Sequence, residues 1–198
     1  MKKICFVMTD AVSFNCLCRD QLEFFSANKD IDITLVCGGS IEEIEKLKNR
    51  NVGKVIFIPF FRKINFFKDI LSLFKLFFFL IFNRFDLIVY STPKALLLTS
   101  IASFFSFQRN KVAVVQGRVY ENDIGLKKKF FQILDKLTFF FSNKVIFVSN
   151  SVMEKTIKEN LLSSNKAILI GNGSFNGVNI KQFYPVDHRS KISLRKKW

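Results

Sequence analysis

Apolar positions fall along this chain in two alternating rhythms. Short runs rich in Val, Ile and Phe occupy residues 3–8, 31–37, 54–58, 86–90, 111–115, 144–148 and 166–170. Several are apolar without a break, the pattern of strands buried on both faces of a sheet. Between them, stretches with helical spacing cover 18–28, 41–49, 66–83, 93–107, 127–142 and 151–161. Start signals support several of these helices. Ser91-Thr92-Pro93 offers a cap followed by Pro in the first turn. Ser151 with Glu154 fits a capping box. Asp123 and Gly125 mark a loop before the helix that begins near Lys127.

Strand and helix in strict alternation predict an α/β chain: a Rossmann-like, doubly wound, mainly parallel sheet flanked by helices and joined by right-handed crossovers. Ligands of such sheets bind beyond the carboxyl ends of the strands. That rule selects the loops at 9–15, 91–94, 116–125 and 149–151. From Gly171 to Gly177 the chain turns loop-like, and after Pro185 it is basic and polar. The expected division is one domain over 1–185 and a linker over 186–198.

Composition narrows the partners. The chain carries 31 Lys plus Arg against 16 Asp plus Glu, a formal charge of +15. This implies an anionic partner, whether phospholipid, nucleic acid or a phosphorylated substrate; a solvated basic surface is the other reading. No nucleic-acid motif accompanies the charge, so nucleic acid is not expected. The four cysteines form no Cys-x-x-Cys pair and there is one His, His188, which argues against a metal site. Cys5 and Cys37 lie in strand-like runs and read as buried thiols in a reducing compartment. Met1-Lys2-Lys3 and the run after it do not make a signal peptide, since Asp10 interrupts a run already too short.

The greasiest stretch, residues 60–85, is broken by Lys68, Asp69, Lys75 and Arg84 and is not a membrane span. Its apolar arc is too broad for one sheet face. Phe66, Phe67, Phe78 and Phe79 beside Lys68, Lys75 and Arg84 suit a helix lying on an anionic membrane. An ordinary helix with one buried face is the competing reading.

Four segments carry a resemblance. They are residues 61–73, beginning Phe61-Arg62-Lys63; Ser91-Thr92-Pro93-Lys94-Ala95; residues 142–151, from Ser142-Asn143-Lys144 to Ser149-Asn150-Ser151; and Gly171-Asn172-Gly173-Ser174-Phe175-Asn176-Gly177-Val178-Asn179, followed by Phe183 and Pro185. In this order and spacing they resemble the amino-terminal domain of family 4 bacterial glycosyltransferases, which have the GT-B architecture of two Rossmann-like domains facing across a cleft. The resemblance implies the acceptor-side half of an enzyme of capsule, O-antigen or similar glycan synthesis. Such an enzyme transfers a hexose from a nucleotide sugar, with retention, to a lipid-linked or polysaccharide acceptor. It implies no resident cofactor or metal. It also implies a cytoplasmic protein peripheral to the inner membrane face, truncated before the carboxy-terminal donor domain, inactive alone, and completed by a separate donor-domain polypeptide if one exists. The alternative is a non-catalytic, partner-dependent subunit that binds membrane or glycan carrier. This chain departs from the family in having Gln116 before Gly117 where a His is usual, Ser91 where a His opens the Pro-Lys turn, and Asn179 where an Asp ends the glycine-rich segment.

On this basis acceptor contacts are expected from Asp10, Ser13, Lys94, Gln116, Gly117, Arg118 and Glu121, with Arg62 a further cation. For Lys94 and Arg118 the competing reading is a solvated cation, for Glu121 a loop salt bridge, and for Asp10 a helix cap. Gly171, Gly173, Ser174, Asn176 and Gly177 are expected to form a cleft and hinge loop rather than a phosphate cradle; a plain surface loop is the alternative.

Overall fold

The computed structural model describes residues 1–61, 65–177, 191, 192 and 195. Arg62, Asn179, His188 and the expected domain boundary at 185 lie outside the described residues. One parallel sheet organises the chain, with strands β1 (Lys2–Asp10), β2 (Ile31–Gly38), β3 (Lys54–Phe57), β4 (Leu87–Ser91), β5 (Lys111–Val115), β6 (Lys144–Phe147) and β7 (Ala167–Leu169). They lie side by side in the order β3-β2-β1-β4-β5-β6-β7, and every pairing is parallel. The chain walks outward from β1 to β3, then returns to start β4 on the other side of β1.

The helices are α1 (Ala11–Leu17), α2 (Gln21–Ser26), α3 (Ile41–Asn49), α4 (Phe66–Phe82), α5 (Pro93–Phe105), α6 (Gly125–Phe141) and α7 (Asn150–Lys158). A right-handed crossover fixes the face on which each helix lands. Steps towards β3 put α1, α2 and α3 on one face. Steps towards β7 put α4, α5, α6 and α7 on the other. Side-chain alternation along the strands matches this division. Cys5, Val7, Ile88, Tyr90, Ala113, Val145 and Phe147 point into one buried cluster with Leu76, Leu80, Ala95, Leu98 and Phe139. Met8, Ile33, Leu35 and Cys37 point into the other, with Phe14, Leu22, Ile44 and Leu47. Cys5, Cys18 and Cys37 are buried free thiols; burial pushes the Cys18 and Cys37 thiols up to about 12.

Polar groups tie the helix layer to strand ends. Gln108 donates to the carbonyls of Leu80 (2.6 Å) and Asn83 (2.9 Å) and accepts from Phe85 N–H, which fixes the turn between α4 and β4. Lys166 donates to the carbonyls of Phe139, Phe140 and Ser142 at the end of α6. That places a cation on the negative end of the helix. Tyr90 and Ser142 hydroxyls lie 2.6 Å apart, and burial raises the Tyr90 phenol.

Three local expectations change. The chain from Ala11 to Leu17 is helix α1, not loop, and Ser13 lies within it. The reason is Asp10, whose carboxylate accepts from Val12 N–H at 2.9 Å and starts the helix directly at the strand end. The helix expected over 18–28 is shorter and begins at Gln21, after Asp20 with φ 57°. No capping box forms at Ser151: α7 begins earlier, with Ser149 as its cap residue, and Glu154 instead accepts from the Asn150 side chain at 2.7 Å.

Two helices keep broad apolar faces in solvent. On α4 the inward stripe is Ser72, Leu76 and Leu80, while Phe67, Leu71, Phe74, Phe78 and Phe82 are exposed. On α6, Thr138 and Phe139 face in, and Leu126, Phe130, Ile133, Leu137 and Phe140 face out.

Candidate functional site

The winding direction reverses between β1 and β4, so the loops leaving their carboxyl ends diverge to opposite faces and leave a crevice. Its walls are tightly specified. Thr9 N–H donates to Thr92 Oγ1 at 3.0 Å, the two hydroxyls are 2.8 Å apart, and Ala95 N–H donates to Thr9 Oγ1 at 3.3 Å. These bonds stitch the end of β1 to the first turn of α5. Thr92 is held at φ 72°. A β-branched residue there is strained, and such strain persists only where surrounding contacts over-determine it.

On the other flank, the end of β2 approaches closely. A Cβ at Gly38 would stand 2.9 Å from the Phe60 backbone, and one at Gly39 (φ 117°) would stand 2.9 Å from Asp10 Oδ1. Only glycines let the β2–α3 loop pass beside the Asp10 carboxylate. Sequence reasoning missed Thr9, Thr92 and this glycine pair as determinants of the rim. The visible signal was Gly38-Gly39 directly after a strand.

The expected acceptor residues gather along the rim, in different states. Asp10 caps α1 at the crevice, and Ser13 sits part-exposed one turn on. Lys94 stands in the first turn of α5, its ammonium 2.7 Å from Asp69 Oδ1. Asp69 Oδ2 also accepts from Asn65 N–H, so this pair joins the starts of α4 and α5. Gly117 is exposed with nothing within 4 Å of a Cβ position. Gln116 carries a buried Nε2 with no hydrogen-bond partner among the described residues.

Arg118 faces inward to the end of α7, and the partly exposed Glu121 reaches the same helix at its surface. The Arg118 side chain is 1% exposed, donates to Glu159, lies 3.6 Å from Glu121 and stacks its guanidinium over Tyr120 at 4.7 Å. Glu121 pairs with Lys155. Burial pushes the Glu159 carboxyl up, but hydrogen bonds from Arg118 and Gln132 outweigh it, leaving Glu159 below the usual carboxylate range. The Tyr120 hydroxyl donates to Asp135, whose carboxyl burial raises. The loop after β5 is thus riveted to α6 and α7, and Arg118 shapes the rim from beneath.

The glycine-rich segment leaves β7 and crosses towards α1 and α2. Gly173 makes its turn at φ 83°, with a would-be Cβ 2.8 Å from Val148 O. Gly171 precedes it at the end of β7, and Gly177 N–H donates to Ser174 Oγ at 2.9 Å. Asn176 donates to Arg19 O, and Phe175 packs beside the α1–α2 cluster. Beneath lies a trough of about 260 Å³, floored by the second face of β1, β4, β5 and β6, including Phe6, Val89, Val114 and Ile146. The lining is aliphatic and aromatic, with Ser91, Gln21 and Ser174 the polar exceptions.

No protein-family model matches the chain. The capsular polysaccharide biosynthesis glycosyltransferase CapM of Staphylococcus aureus is 31% identical over 169 residues, covering 84% of this chain and 43% of CapM. The chain therefore spans less than half the length of that relative. Among solved structures, Anabaena Alr3699/HepE, in complex with UDP and glucose, superposes with a TM-score of 0.66 at 16% identity, over 100% of this chain and 50% of its own. The lipopolysaccharide outer core galactosyltransferase WaaB gives 0.59 at 11% identity, over 84% of this chain and 44% of its own. The UDP-GlcNAc 2-epimerase from Neisseria meningitidis, bound to UDP-GlcNAc, gives 0.60 at 13% identity, over 86% of this chain and 47% of its own. Transferases and epimerases share this fold, so the fold does not separate them. The chain is similar in sequence to the capsular polysaccharide glycosyltransferase CapM over less than half of that protein, and is folded as one Rossmann-like half of the GT-B architecture.

Proposed function

We propose that this chain is the acceptor-side wall of a glycosyltransferase that moves a sugar from a nucleotide-sugar donor to a lipid-linked or polysaccharide acceptor in cell-surface glycan synthesis. The observation that carries the reading is the relation to CapM across 84% of the chain. The rim supports it physically. The crevice offers an open glycine at Gly117, the amide side chain of Gln116, the Asp10 carboxylate and the positive end of α5 beside Lys94.

In the transfer, an acceptor hydroxyl oxygen bonds to the anomeric carbon as the bond from that carbon to the nucleoside diphosphate breaks. The hydroxyl proton leaves to a base, and the diphosphate departs with its charge. Helix N-termini and cations stabilise that leaving charge. The resemblance implies a hexose transferred with retention and a donor held mainly on a facing domain. This chain would orient the acceptor, and Asp10, Ser13, Lys94, Gln116 and Gly117 are the residues for that task. Arg118 and Glu121 would hold the loop that carries Gln116 and Gly117.

The test is a transfer assay with a panel of nucleotide sugars and extracted lipid-linked acceptor. The 198-residue chain alone should release no sugar and form no product, and adding a donor-side half as a second polypeptide should start transfer. Turnover by the chain alone would sink the half-enzyme reading. A second reading, a non-catalytic partner subunit, is favoured by Gln116 standing where related enzymes carry His. A reconstituted pair that binds acceptor yet forms no product would establish it.

A further inference from the structure

Right-handed crossovers leave one face of β4, β5 and β6 without a helix among the described residues, because α4 to α7 all land on the other face. Side chains alternate along a strand, so Leu87, Val89 and Ser91 of β4 point to the open face, while Ile88 and Tyr90 are buried on the helix side. Ile4, Phe6 and Met8 of β1 lie along one flank of β4, and Val114 and Ile146 lie along the other. Together they floor the trough of about 260 Å³. Phe6, Val89, Val114 and Ile146 are only half-buried, so this floor is not closed by the chain's own core. From Leu87 to Ser91 it runs about 13 Å along the strands towards the carboxyl rim.

Little in the trough can hold water. Two of its three polar side chains are already engaged: Ser91 Oγ donates to Val114 O at 2.9 Å, and Ser174 Oγ accepts from Gly177 N–H at 2.9 Å. An apolar cavity of about 150 Å³ stays dry and takes a six-carbon ring, so one of this size takes roughly ten carbon atoms. The rim end is different in kind. Ser91 leads through Thr92 into the first turn of α5 with Lys94, and Met8 leads to Thr9 and the crevice. The chain's charge of +15 draws anions there. Apolar floor and basic rim together fit an anionic head on an aliphatic tail. A second copy of this chain would match the floor but bring its own +15.

We propose that the trough seats the lipid tail of a lipid-linked acceptor, roughly ten carbons of it, with the phosphate head at the first turn of α5. The inference rests on the reading of this chain as the acceptor side of a transferase. A seated tail fixes how far the head group, and the sugar beyond it, reaches into the crevice. The trough thereby selects lipid-linked acceptors over free glycan.

Isothermal titration of the chain tests this without turnover. The probes are geranyl diphosphate, its half-length analogue isopentenyl diphosphate, and inorganic pyrophosphate, which has no tail. Geranyl diphosphate should bind about a hundredfold or more tightly than pyrophosphate. Val89→Phe and Val114→Phe fill the floor; each should weaken geranyl diphosphate about tenfold and leave pyrophosphate unchanged. Ile133→Ser should change neither, because Ile133 lies exposed on α6 across the sheet. Thermal melts check folding. Should the filled variants melt early, Leu87→Ser at the far end of the floor replaces them and should weaken geranyl but not isopentenyl diphosphate. Equal binding of geranyl diphosphate and pyrophosphate, undiminished binding in the filled variants, or displacement of geranyl diphosphate by an added donor-side half overturns the proposal. The transferase reading fails separately. A reconstituted pair that binds the tail but forms no product sinks that reading and leaves the site standing. Transfer to lipid-linked acceptor that is unchanged in Val89→Phe sinks the site and leaves that reading standing.

Discussion

Replacing Arg118 by Ala should lower stability by about 2 kcal/mol, and the figure follows from what the guanidinium touches. Removing one partner of a buried ion pair costs about 3–5 kcal/mol when the remaining charge is left alone. Here Glu159 would not be alone: its side chain is 21% exposed, and it keeps Gln132 at 3.0 Å and Lys128 at 3.7 Å. The native arrangement is also imperfect, because Arg118 Nε and Nη1 are buried without a hydrogen-bond acceptor among the described residues. Their removal returns part of the loss. Against that, the contact over the Tyr120 ring is worth about 1 kcal/mol.

Urea unfolding with a slope of about 2 kcal/mol per M would then move the midpoint down by about 1 M with the slope unchanged. Arg118→Met, which keeps a buried apolar stem but loses the guanidinium, should cost about half as much. A cycle with Glu159→Gln should return a coupling of about 1–2 kcal/mol. A change below about 0.5 kcal/mol in Arg118→Ala, together with weakened acceptor binding, would refute this. Arg118 would then be a ligand-facing cation rather than a rivet.

Other outcomes follow from the same structure. Arg50 donates to both Glu23 carboxylate oxygens and to the carbonyls of Phe14 and Cys18, so Arg50→Ala should cost about 1.5–3 kcal/mol and Arg50→Lys should not restore it, measured by urea unfolding. The hydrogen bonds from Arg50 hold the Glu23 carboxyl below its ordinary value, so its contribution is present above the usual glutamate range and fades as pH falls through the lowered value; in Glu23→Gln that acid-side slope should flatten. Gly173→Ala should destabilise by about 1–3 kcal/mol because it forces a methyl against Val148 O at positive φ, whereas Gly117→Ala should leave the melting temperature unchanged. Loss of acceptor binding in Gly117→Ala would then report on the site and not on folding.

Most of the architecture could be read from the chain because it is written in local pattern. Uninterrupted apolar runs such as residues 4–8 and 112–115 fit strands covered on both faces, and the bounds of α3 were legible to the residue. What the pattern could not give was strand order. Once β4 returns beside β1, right-handed crossovers put every later helix on one face, whatever its sequence. The trough on the opposite face is a product of that order. Leu87, Val89 and Ile146 alternate with buried neighbours as any central strand would, and no local signal marks their second face as less covered. The α6 stripe was hidden for the same reason. Phe130, Ile133, Leu137 and Phe140 keep helical spacing, which in sequence is indistinguishable from a core-facing stripe until α5 is seen to pack on the other side.

The rim residues show a sharper limit. Strand ends locate them, so Asp10, Lys94 and the loop from Gln116 to Glu121 were correctly expected at one edge of the sheet. Their partners are set by tertiary distance. Lys94 meets Asp69 25 positions earlier, and Arg118 meets Glu159 41 positions later. A cation at a strand's carboxyl end is therefore ambiguous in sequence: the same position serves a ligand or a strut. Burial decides between them, because a guanidinium 1% exposed must be neutralised from inside the protein, while an open position such as Gly117 leaves the backbone accessible to whatever enters the crevice. Chemistry at this rim should therefore be sought at its open positions first, with the charged residues beneath them read as the frame that keeps those positions open.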